Sequence, residues 1–357
     1  MTEGRRVGDF GNQAVVGAFD FHLADLDENL DLHGVGQRAI WPYGGLRNEA
    51  GDLFVLERKL VHQMTGGLWL MSDKGGVALN LTPKSVHSAR GELRREFTPD
   101  RHIYRDHLMA KLGDLAPPDE QSFHLDVTDD TLVWAEGELC DLSGRALGPG
   151  MHFFGVDREW PFMYITRAFW MTGTVLGDAV SGMIWFDHGY WRERGEWKEQ
   201  PFYTQRQVAW NVFSNHYEDG THEWGHIVRG TDGIGACMVA GDAATTPDGA
   251  IAATGDFTST FVLDDQDYVA SARYYTGEHE WEFTAEPAAW GPGDVPPTGA
   301  AAAGKGRMVH FNKARWAGYR AQSGLMRRVG DTRTVTNGFV WLECFADRIR
   351  AEGLAKE

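Results

Sequence analysis

The chain has 357 residues, of which 42% are hydrophobic, and it carries a formal net charge of -17. This length and apolar content predict a substantial core, in two domains or in one very large one. The negative charge argues against nucleic acid or an anionic membrane surface as a partner, because both would repel the protein.

The cysteines and the apolar runs indicate the compartment. Cys140, Cys237 and Cys344 are odd in number and widely spaced, which argues against a disulfide framework and against a C-x-x-C metal or redox site. The N-terminal residues MTEGRRVGDFG contain no apolar signal segment, and no apolar run approaches the ~20 residues that a helix needs to cross a bilayer. We therefore expect a soluble, cytoplasmic protein.

Short apolar or alternating runs, separated by turns, fill most of the chain. Turn signals such as those at residues 43–45, 73–76 and 247–249 separate the runs. Helical patterns are confined to a turn or two over residues 106–112 and a charged tail over residues 345–356. Many short antiparallel strands with regular turns predict an all-β fold of sandwiches or barrels.

Residues 219–228 read DGTHEWGHIV and contain H-E-x-x-H, the signature of zinc metalloproteases. A zinc site of that kind requires a helix, which would place His222 and His226 on one face with Glu223 ready to activate a metal-bound water. The D-G turn and the glycine between the histidines instead favour a hairpin. We therefore predict a strand of about eight residues, on which Glu223 points away from both histidines.

Three segments near the C-terminus give further predictions. In EHEWEF, residues 278–283, three glutamates alternate with His279, Trp281 and Phe283, which is typical of a half-buried strand. Residues 287–306 contain too few large apolar side chains to pack and are predicted to be a loop or linker. The composition of residues 313–328 fits a helix or a strand equally well.

The acidic, imidazole and aromatic side chains that could bind or convert a ligand are most concentrated between residues 170 and 233. An apolar strand brings Asp187 and His188 into aromatic surroundings, and a second segment brings Tyr217 and Asp219. Aromatic walls with a few acids and imidazoles suit an apolar ligand and proton transfer to or from it. A structural interpretation stays open, because aromatic strands commonly form cores. The predicted lining residues are Trp185, Tyr190, Trp191, Trp210, Phe213 and Trp224.

The order of these segments resembles a known family. VSGMIWFDH (residues 180–188) and WNVFSNHYEDG (residues 210–220) are similar to motifs of the carotenoid 1,2-hydratase (hydroxyneurosporene synthase) and lipocalin-like superfamily, which includes fungal Diels-Alderases and kievitone hydratase. RWAGYRAQSG and NGFVWLE resemble the C-terminal strands of that family. The matching C-terminal residues are Trp316, Gly318, Gly324, Gly338 and Glu343.

The resemblance implies an all-β protein of two lipocalin-like antiparallel barrel or sandwich domains packed together, at residues 1–196 and 197–357, with few helices. It implies a pocket inside or between these domains, and it favours strands over residues 313–328. The acid/base candidates that it assigns are Asp187 and His188 on one strand, and Tyr217 and Asp219 on the hairpin.

One departure from the family pattern concerns the residues after the Asp-His pair. Members commonly read D-H-x-W-G, whereas this chain reads D-H-G-Y-W. Either Tyr190 takes the place of the tryptophan, or a shift of register gives that place to Trp191. The distinction matters because a tyrosine can donate a proton, whereas a tryptophan can shelter a cation with its ring.

These features predict a cofactor-independent lyase, hydratase or isomerase. A protonated His188, or Asp187 or Asp219 with a pKa raised by burial, would protonate a double bond of a hydrophobic terpenoid, polyketide or aromatic molecule. The sequence contains no Walker motif and no G-x-G-x-x-G that follows a strand and precedes an acidic residue, so it indicates no nucleotide cofactor. The alternatives are a non-catalytic carrier of such a molecule, a pericyclase, and a zinc hydrolase using HEWGH. Edge strands allow a homodimer, but nothing in the pattern requires one.

Overall fold

The computed structural model describes most of the chain as antiparallel β-structure. The described residues are 14–26, 31–32, 34–61, 64–74, 86–87, 91–108, 123–155, 161–192, 200, 202–241, 250–253, 257–285, 307–308, 316 and 318–356. Within them, helical residues form a 3-10 turn (Leu23–Leu26), a π-helical turn (Phe202–Arg206) and helix α1 (Ala346–Ala351).

The strands are β1 (Ala14–Phe19), β2 (Asp31–Leu32), β3 (Val35–Asn48), β4 (Leu53–Val61), β5 (Met64–Ser72), β6 (Val86–His87), β7 (Gly91–Thr98), β8 (Arg101–Leu108), β9 (Phe123–Thr128), β10 (Thr131–Glu136), β11 (Cys140–Gly155), β12 (Phe162–Val175), β13 (Asp178–Trp191), β14 (Gln207–Tyr217), β15 (His222–Gly230), β16 (Gly235–Gly241), β17 (Ala250–Ala253), β18 (Thr258–Leu263), β19 (Val269–Tyr275), β20 (Glu280–Ala285), β21 (Arg307–Met308), β22 (Tyr319–Gln322), β23 (Gly324–Arg328), β24 (Val335–Phe345) and β25 (Ala355–Lys356).

Sheet A contains β1 to β13 in the order β1-β11-β10-β9-β8-β7-β5-β4-β3-β13-β12. Strands β2 and β6 pair beside this path, with β3 and β5. Strand β11 is long enough to pair with β10 and β1 along one edge and with β12 along the other. The pairing of β11 with β12 joins the two ends of the order, so sheet A curls into a ring.

Two further sheets form the C-terminal part. Sheet B has the order β17-β16-β15-β14-β24-β22-β21, and sheet C has the order β23-β20-β19-β18-β25. Sheet C packs on one face of sheet B through a core that includes Phe213, Phe261 and Trp281. The other face of sheet B packs against sheet A.

The contact between sheets A and B is a layer of large aromatic side chains, here called the A–B layer. Side chains alternate along β13, so Trp185 and Trp191 enter this layer while Phe186 and Tyr190 enter the interior of sheet A. The aromatic members of the layer are Trp41, Tyr43, Trp69, Phe153, Phe162, Tyr164, Trp170, Trp185, Trp191, Phe202, Tyr203, Trp210, Trp224, Trp316, Tyr319, Phe339, Trp341 and Phe345.

Two glycines of sheet A let the sheets approach closely. A Cβ atom on Gly45 would lie 2.1 Å from the ring of Phe339, and one on Gly148 would lie 2.7 Å from the ring of Trp224. Gly148 also has φ +52, a conformation that L side chains rarely adopt. At the rim, Arg47 Nε donates to the carbonyl oxygen of Gly338 at 2.9 Å. The two sheets therefore contact each other where aromatic rings of sheet B pack against glycines of sheet A, and they are also joined by direct hydrogen bonds.

The all-β fold with few helices is confirmed. The hairpin is also confirmed: β14 and β15 pair directly, and Gly220 in their turn has φ +82. Trp281 and Phe283 of β20 are buried, as the alternation predicts.

The other sequence predictions have varied outcomes. The helical turn predicted from residue 106 is wrong for residues 106–108, which extend β8, and its remainder lies outside the described residues. Residues 319–328 form two strands, and part of the C-terminal tail is helix α1. The predicted linker at residues 287–306 lies outside the described residues.

The domain boundary between residues 196 and 197 stays a prediction, although sheet A ends at β13 and sheets B and C begin at β14. The three cysteines are buried free thiols. Within the described ranges, no helix has the length and apolar character that crossing a bilayer requires.

Candidate functional site in the A–B layer

Asp187 and His188, adjacent on β13, point to opposite faces of sheet A. Asp187 shares its face with Trp185 and Trp191 in the A–B layer, whereas His188 shares its face with Phe186 and the interior of the ring. Both side chains are fully buried. The strand that carries the predicted Asp-His pair therefore separates its two members.

The Asp187 carboxyl group lies among tyrosine hydroxyl groups. The hydroxyl group of Tyr164, from the neighbouring strand β12, donates to Asp187 Oδ2. Burial raises the pKa of Asp187 to about 7, against the opposing effect of the hydroxyl groups of Thr166, Tyr164 and Tyr43. Burial and the nearby Asp187 also raise the pKa of Tyr164 and of Tyr43 well above the ordinary value. Near pH 7 this carboxyl group can hold or release a proton.

Aromatic rings surround this carboxyl group. Tyr43 stacks on Trp185 with ring centroids 5.8 Å apart, and Trp341 of sheet B meets Tyr43 edge-on at 6.1 Å. Trp210, also from sheet B, meets Tyr164 edge-on at 5.1 Å. Ring faces of this kind attract a positive charge, so the layer can stabilise a cation formed next to Asp187.

His226 of β15 faces the same layer from sheet B. Its ring centroid lies 5.7 Å from those of Tyr164 and Trp210 and 6.4 Å from that of Trp185. Burial lowers the pKa of His226 to about 3, because the imidazolium form loses its hydration. His226 is therefore neutral at physiological pH, with one nitrogen that can donate and one that can accept.

Glu343 brings a second carboxyl group to the layer. It follows Trp341 by two positions on β24 and lies opposite Trp210 in the pairing of β14 with β24. The indole Nε1 of Trp341 donates to Glu343 Oε1 at 3.1 Å. Glu343 also contributes to the raised pKa values of Tyr203 and Tyr319, for which burial is the larger cause. Sheets A and B therefore each place a buried carboxyl group on this layer.

His188 lies in a different polar cluster, inside the ring of sheet A. Gln37 Nε2 lies 2.9 Å from His188 Nδ1 and 3.3 Å from the hydroxyl oxygen of Tyr190. A bulge opposite Gly189 shifts the register of β3, so that Gln37 turns to this interior. Burial lowers the pKa of His188 well below its ordinary value, and His102 and Arg95 lower it further. This lowered pKa opposes the protonated His188 that the sequence-based mechanism requires, and a catalytic role for His188 stays a prediction.

Tyr217 and Asp219 lie elsewhere again. The Tyr217 hydroxyl group donates to Glu223 Oε2 at 2.9 Å, on the face of sheet B that packs against sheet C. Asp219 is exposed in the hairpin turn, where its Oδ1 accepts hydrogen bonds from the backbone N–H and the hydroxyl group of Thr221. These bonds lower the pKa of Asp219, so the prediction of a buried acid with a raised pKa is wrong there.

The predicted lining residues divide among the three cores. Trp185, Trp191, Trp210 and Trp224 lie in the A–B layer. Tyr190 lies inside sheet A, and Phe213 lies between sheets B and C. Trp191 is thus the residue of the Tyr-Trp pair that shares a face with Asp187.

The HEWGH segment is a strand, and its side chains alternate as predicted. His222 and His226 face sheet A, whereas Glu223 faces sheet C and accepts the Tyr217 hydroxyl group. Glu223 therefore cannot activate a water on a metal held by the two histidines. No group of three or more His, Cys, Asp or Glu side chains that could hold a metal occurs within the described part of the chain.

Sequence reasoning missed Tyr43 and Tyr164, and it considered His226 only as a zinc ligand of the HEWGH motif. Tyr164 has a local signal: in FMYITRAFW it alternates in phase with Trp170, which belongs to the A–B layer. The approach of β3 and β15 to Asp187 depends on long-range packing, for which the sequence shows no signal.

Comparisons with known proteins give a general likeness. No protein-family model matches the chain, and no curated protein sequence matches it. A protein from Nitrosomonas europaea provisionally named AttH is similar in structure at 14% identity and a TM-score of 0.39, with 86% of this chain and 93% of that chain covered. Kievitone hydratase from Nectria haematococca is similar at 8% identity and a TM-score of 0.38, with 91% and 95% covered. At these values the likeness assigns no activity or residue role.

Proposed function

We propose that the protein is a cofactor-independent lyase of the hydratase or dehydratase type, or an isomerase, that acts on a double bond of an apolar molecule in the A–B layer. The observation that carries this proposal is the Asp187 carboxyl group, fully buried among aromatic rings, with a pKa raised to about 7. A general acid works best when its pKa lies near the operating pH.

The chemistry follows from the residues that meet there. Protonated Asp187 would transfer its proton to one carbon of the double bond, which leaves a cation on the other carbon. The rings of Trp185 and Trp210 would stabilise that cation. In hydration, a water would attack the cation and give a proton to Glu343 or to the Asp187 carboxylate. Dehydration runs through the same steps in reverse, and loss of a different carbon-bound proton gives isomerisation.

The second candidate function is a carrier of an apolar molecule. The aromatic composition of the A–B layer favours it, since such walls hold an apolar ligand without any reaction. A carrier gains nothing from a fully buried Asp187, because burying a carboxyl group among aromatic rings costs free energy. This cost is the reason for placing the enzyme first.

The test uses the molecule that the purified protein retains, identified by native mass spectrometry. That molecule is incubated with the protein in D₂O and in H₂¹⁸O. An enzyme should incorporate deuterium or ¹⁸O, and Asp187→Asn should lower the rate by about 10²–10⁴-fold, the usual contribution of a general acid. Asp219→Asn, at an exposed turn, is the matched control and should leave the rate unchanged.

Two outcomes would contradict the proposal. A ligand returned without either isotope by the wild-type protein would favour the carrier. Incorporation at an equal rate in the Asp187→Asn variant would show that a different group donates the proton.

A further inference from the structure

The imidazole of His226 has no hydrogen-bond partner for either ring nitrogen among the residues that the structure describes. The side chain is fully buried. A buried polar group without a partner costs free energy, and in native proteins such groups usually have a partner in a bound molecule or water. The two unpartnered nitrogens therefore indicate that a molecule able to form hydrogen bonds binds in the A–B layer.

The position of His226 places that occupant beside Asp187. The His226 ring centroid lies 5.7 Å from that of Tyr164, and the Tyr164 hydroxyl group donates to Asp187. The side chain of Tyr164 therefore lies next to both His226 and the proton donor Asp187, and a polar atom bound to His226 would lie close to Asp187.

Other donors of the layer also lack partners among the described residues. They include the indole Nε1 atoms of Trp185 and Trp224. An indole can only donate a hydrogen bond, whereas a neutral imidazole donates from one nitrogen and accepts at the other. A hydroxyl group meets both requirements, because its oxygen accepts and its hydrogen donates. A hydrocarbon would leave all of these groups unpaired.

The charges of the layer argue against an anionic occupant. Asp187 and Glu343 face it, and Glu57, opposite Tyr43 in the pairing of β3 with β4, adds a third carboxyl group. The ammonium group of Lys59 lies 5.7 Å from the ring centroid of Trp41. In their ionised form, these carboxyl groups of the described part of the layer would repel a carboxylate or phosphate.

We infer that His226 binds a neutral hydroxyl group of the substrate, so that the substrate class is an apolar molecule carrying an alcohol or phenol group, rather than a hydrocarbon or an acid. This inference rests on the proposed function, since it concerns the same site. It assigns His226 to substrate recognition and leaves proton transfer to Asp187.

The experiment measures binding by calorimetry at pH 7.5 with two matched sets of probes. The first set is 2-naphthol, naphthalene and 2-naphthoate, and the second is geraniol, myrcene and geranate. In at least one set, the wild-type protein should bind the hydroxyl compound about tenfold more tightly than the hydrocarbon, the effect of roughly one hydrogen bond made to an otherwise unpaired group. The acid should bind most weakly.

Variants locate the preference. His226→Phe keeps an aromatic ring but removes both nitrogens, and it should bind the hydroxyl compound and the hydrocarbon with affinities within about threefold of each other. His226→Gln restores a donor and an acceptor and should recover part of the preference. Asp187→Asn should keep the preference. Circular dichroism and thermal unfolding confirm that each variant is folded.

The outcomes separate this inference from the proposed function, because binding requires no turnover. Binding of the hydroxyl compound that depends on His226, in a protein that incorporates neither isotope, would refute the chemistry and keep the inference. An unchanged preference in His226→Phe, tightest binding of the acid or the hydrocarbon, or no binding of any of the six probes would overturn the inference.

Discussion

Sheet A buries Glu136 in its interior and Asp187 in the A–B layer, with contrasting partners. Glu136 forms a two-point ion pair with Arg58, at 2.6 Å and 2.9 Å, and accepts the indole N–H of Trp134 at 2.9 Å. Asp187 is bonded by the neutral hydroxyl group of Tyr164. A carboxyl group paired with a guanidinium joins two strands of the sheet through that ion pair, whereas one among hydroxyl groups and rings can exchange a proton.

The largest change in stability is expected at Glu136. Glu136→Gln should destabilise the fold by about 3–5 kcal/mol, because it removes the charge of Glu136 from a fully buried ion pair with Arg58. Urea unfolding measures this change. Glu138→Gln, on an exposed residue of the adjacent turn, should change the free energy of unfolding by less than about 0.5 kcal/mol. Equal effects at the two positions would contradict the structural role of the ion pair.

At Asp187 the effect should have the opposite sign and should depend on pH. The pKa of Asp187 is about 7 in the folded protein, against an ordinary value of 3.8. Between these values the unfolded chain releases its proton and the folded protein keeps it. Stability therefore falls as the pH rises through this range, and the loss persists above it. Asp187→Asn removes the loss and should stabilise the fold by up to about 4 kcal/mol at pH 8, with no gain near pH 4.

Unfolding of both proteins from pH 4 to pH 8 measures that gain. Asp219→Asn is the control, because hydrogen bonds from Thr221 lower the pKa of Asp219 and the variant should therefore gain nothing at high pH. A pH-independent difference between wild type and Asp187→Asn would contradict the comparison.

A smaller effect should come from the contact between the sheets. Gly148→Val places a side chain against the ring of Trp224 and should destabilise the protein by about 1–3 kcal/mol through overpacking. Gly177→Val is the matched control, because Gly177 also has a positive φ (+83) but has no atom within 4 Å of its Cβ position. Thermal unfolding should show the larger loss for Gly148→Val. A larger loss in the Gly177 variant would show that backbone conformation, rather than the contact, is decisive.

Much of the fold could be predicted from local patterns. The D-G turn and the alternation of side chains correctly made HEWGH a strand, and the same alternation placed Trp281 and Phe283 in a core. A period of two also implies that neighbours such as Asp187 and His188 point to opposite faces. Both faces of β13 are apolar, because each face packs into a different core. The sequence pattern therefore does not show which other residues lie next to Asp187 and which lie next to His188.

The rest of the site depends on contacts between distant parts of the chain. Tyr43, Asp187 and His226 come from β3, β13 and β15, and sheet packing brings them to one layer. Glu343 was part of the family resemblance, but its place on the layer depends on the pairing of β24 with β14. Tyr217 and Phe213 belong to the opposite face of sheet B, which no local signal distinguishes from the face against sheet A.

Difference infrared spectroscopy on protein with ¹³C-labelled aspartate can measure the protonation state of Asp187, on which the proposed proton transfer depends. The carbonyl stretch of a protonated carboxyl group is followed from pH 5 to pH 9, with the Asp187→Asn spectrum subtracted. One carboxyl group should lose its proton at a pH of about 7. A carboxyl group already ionised at pH 5 would rule out Asp187 as the general acid, because Asp187 would then have no proton to donate.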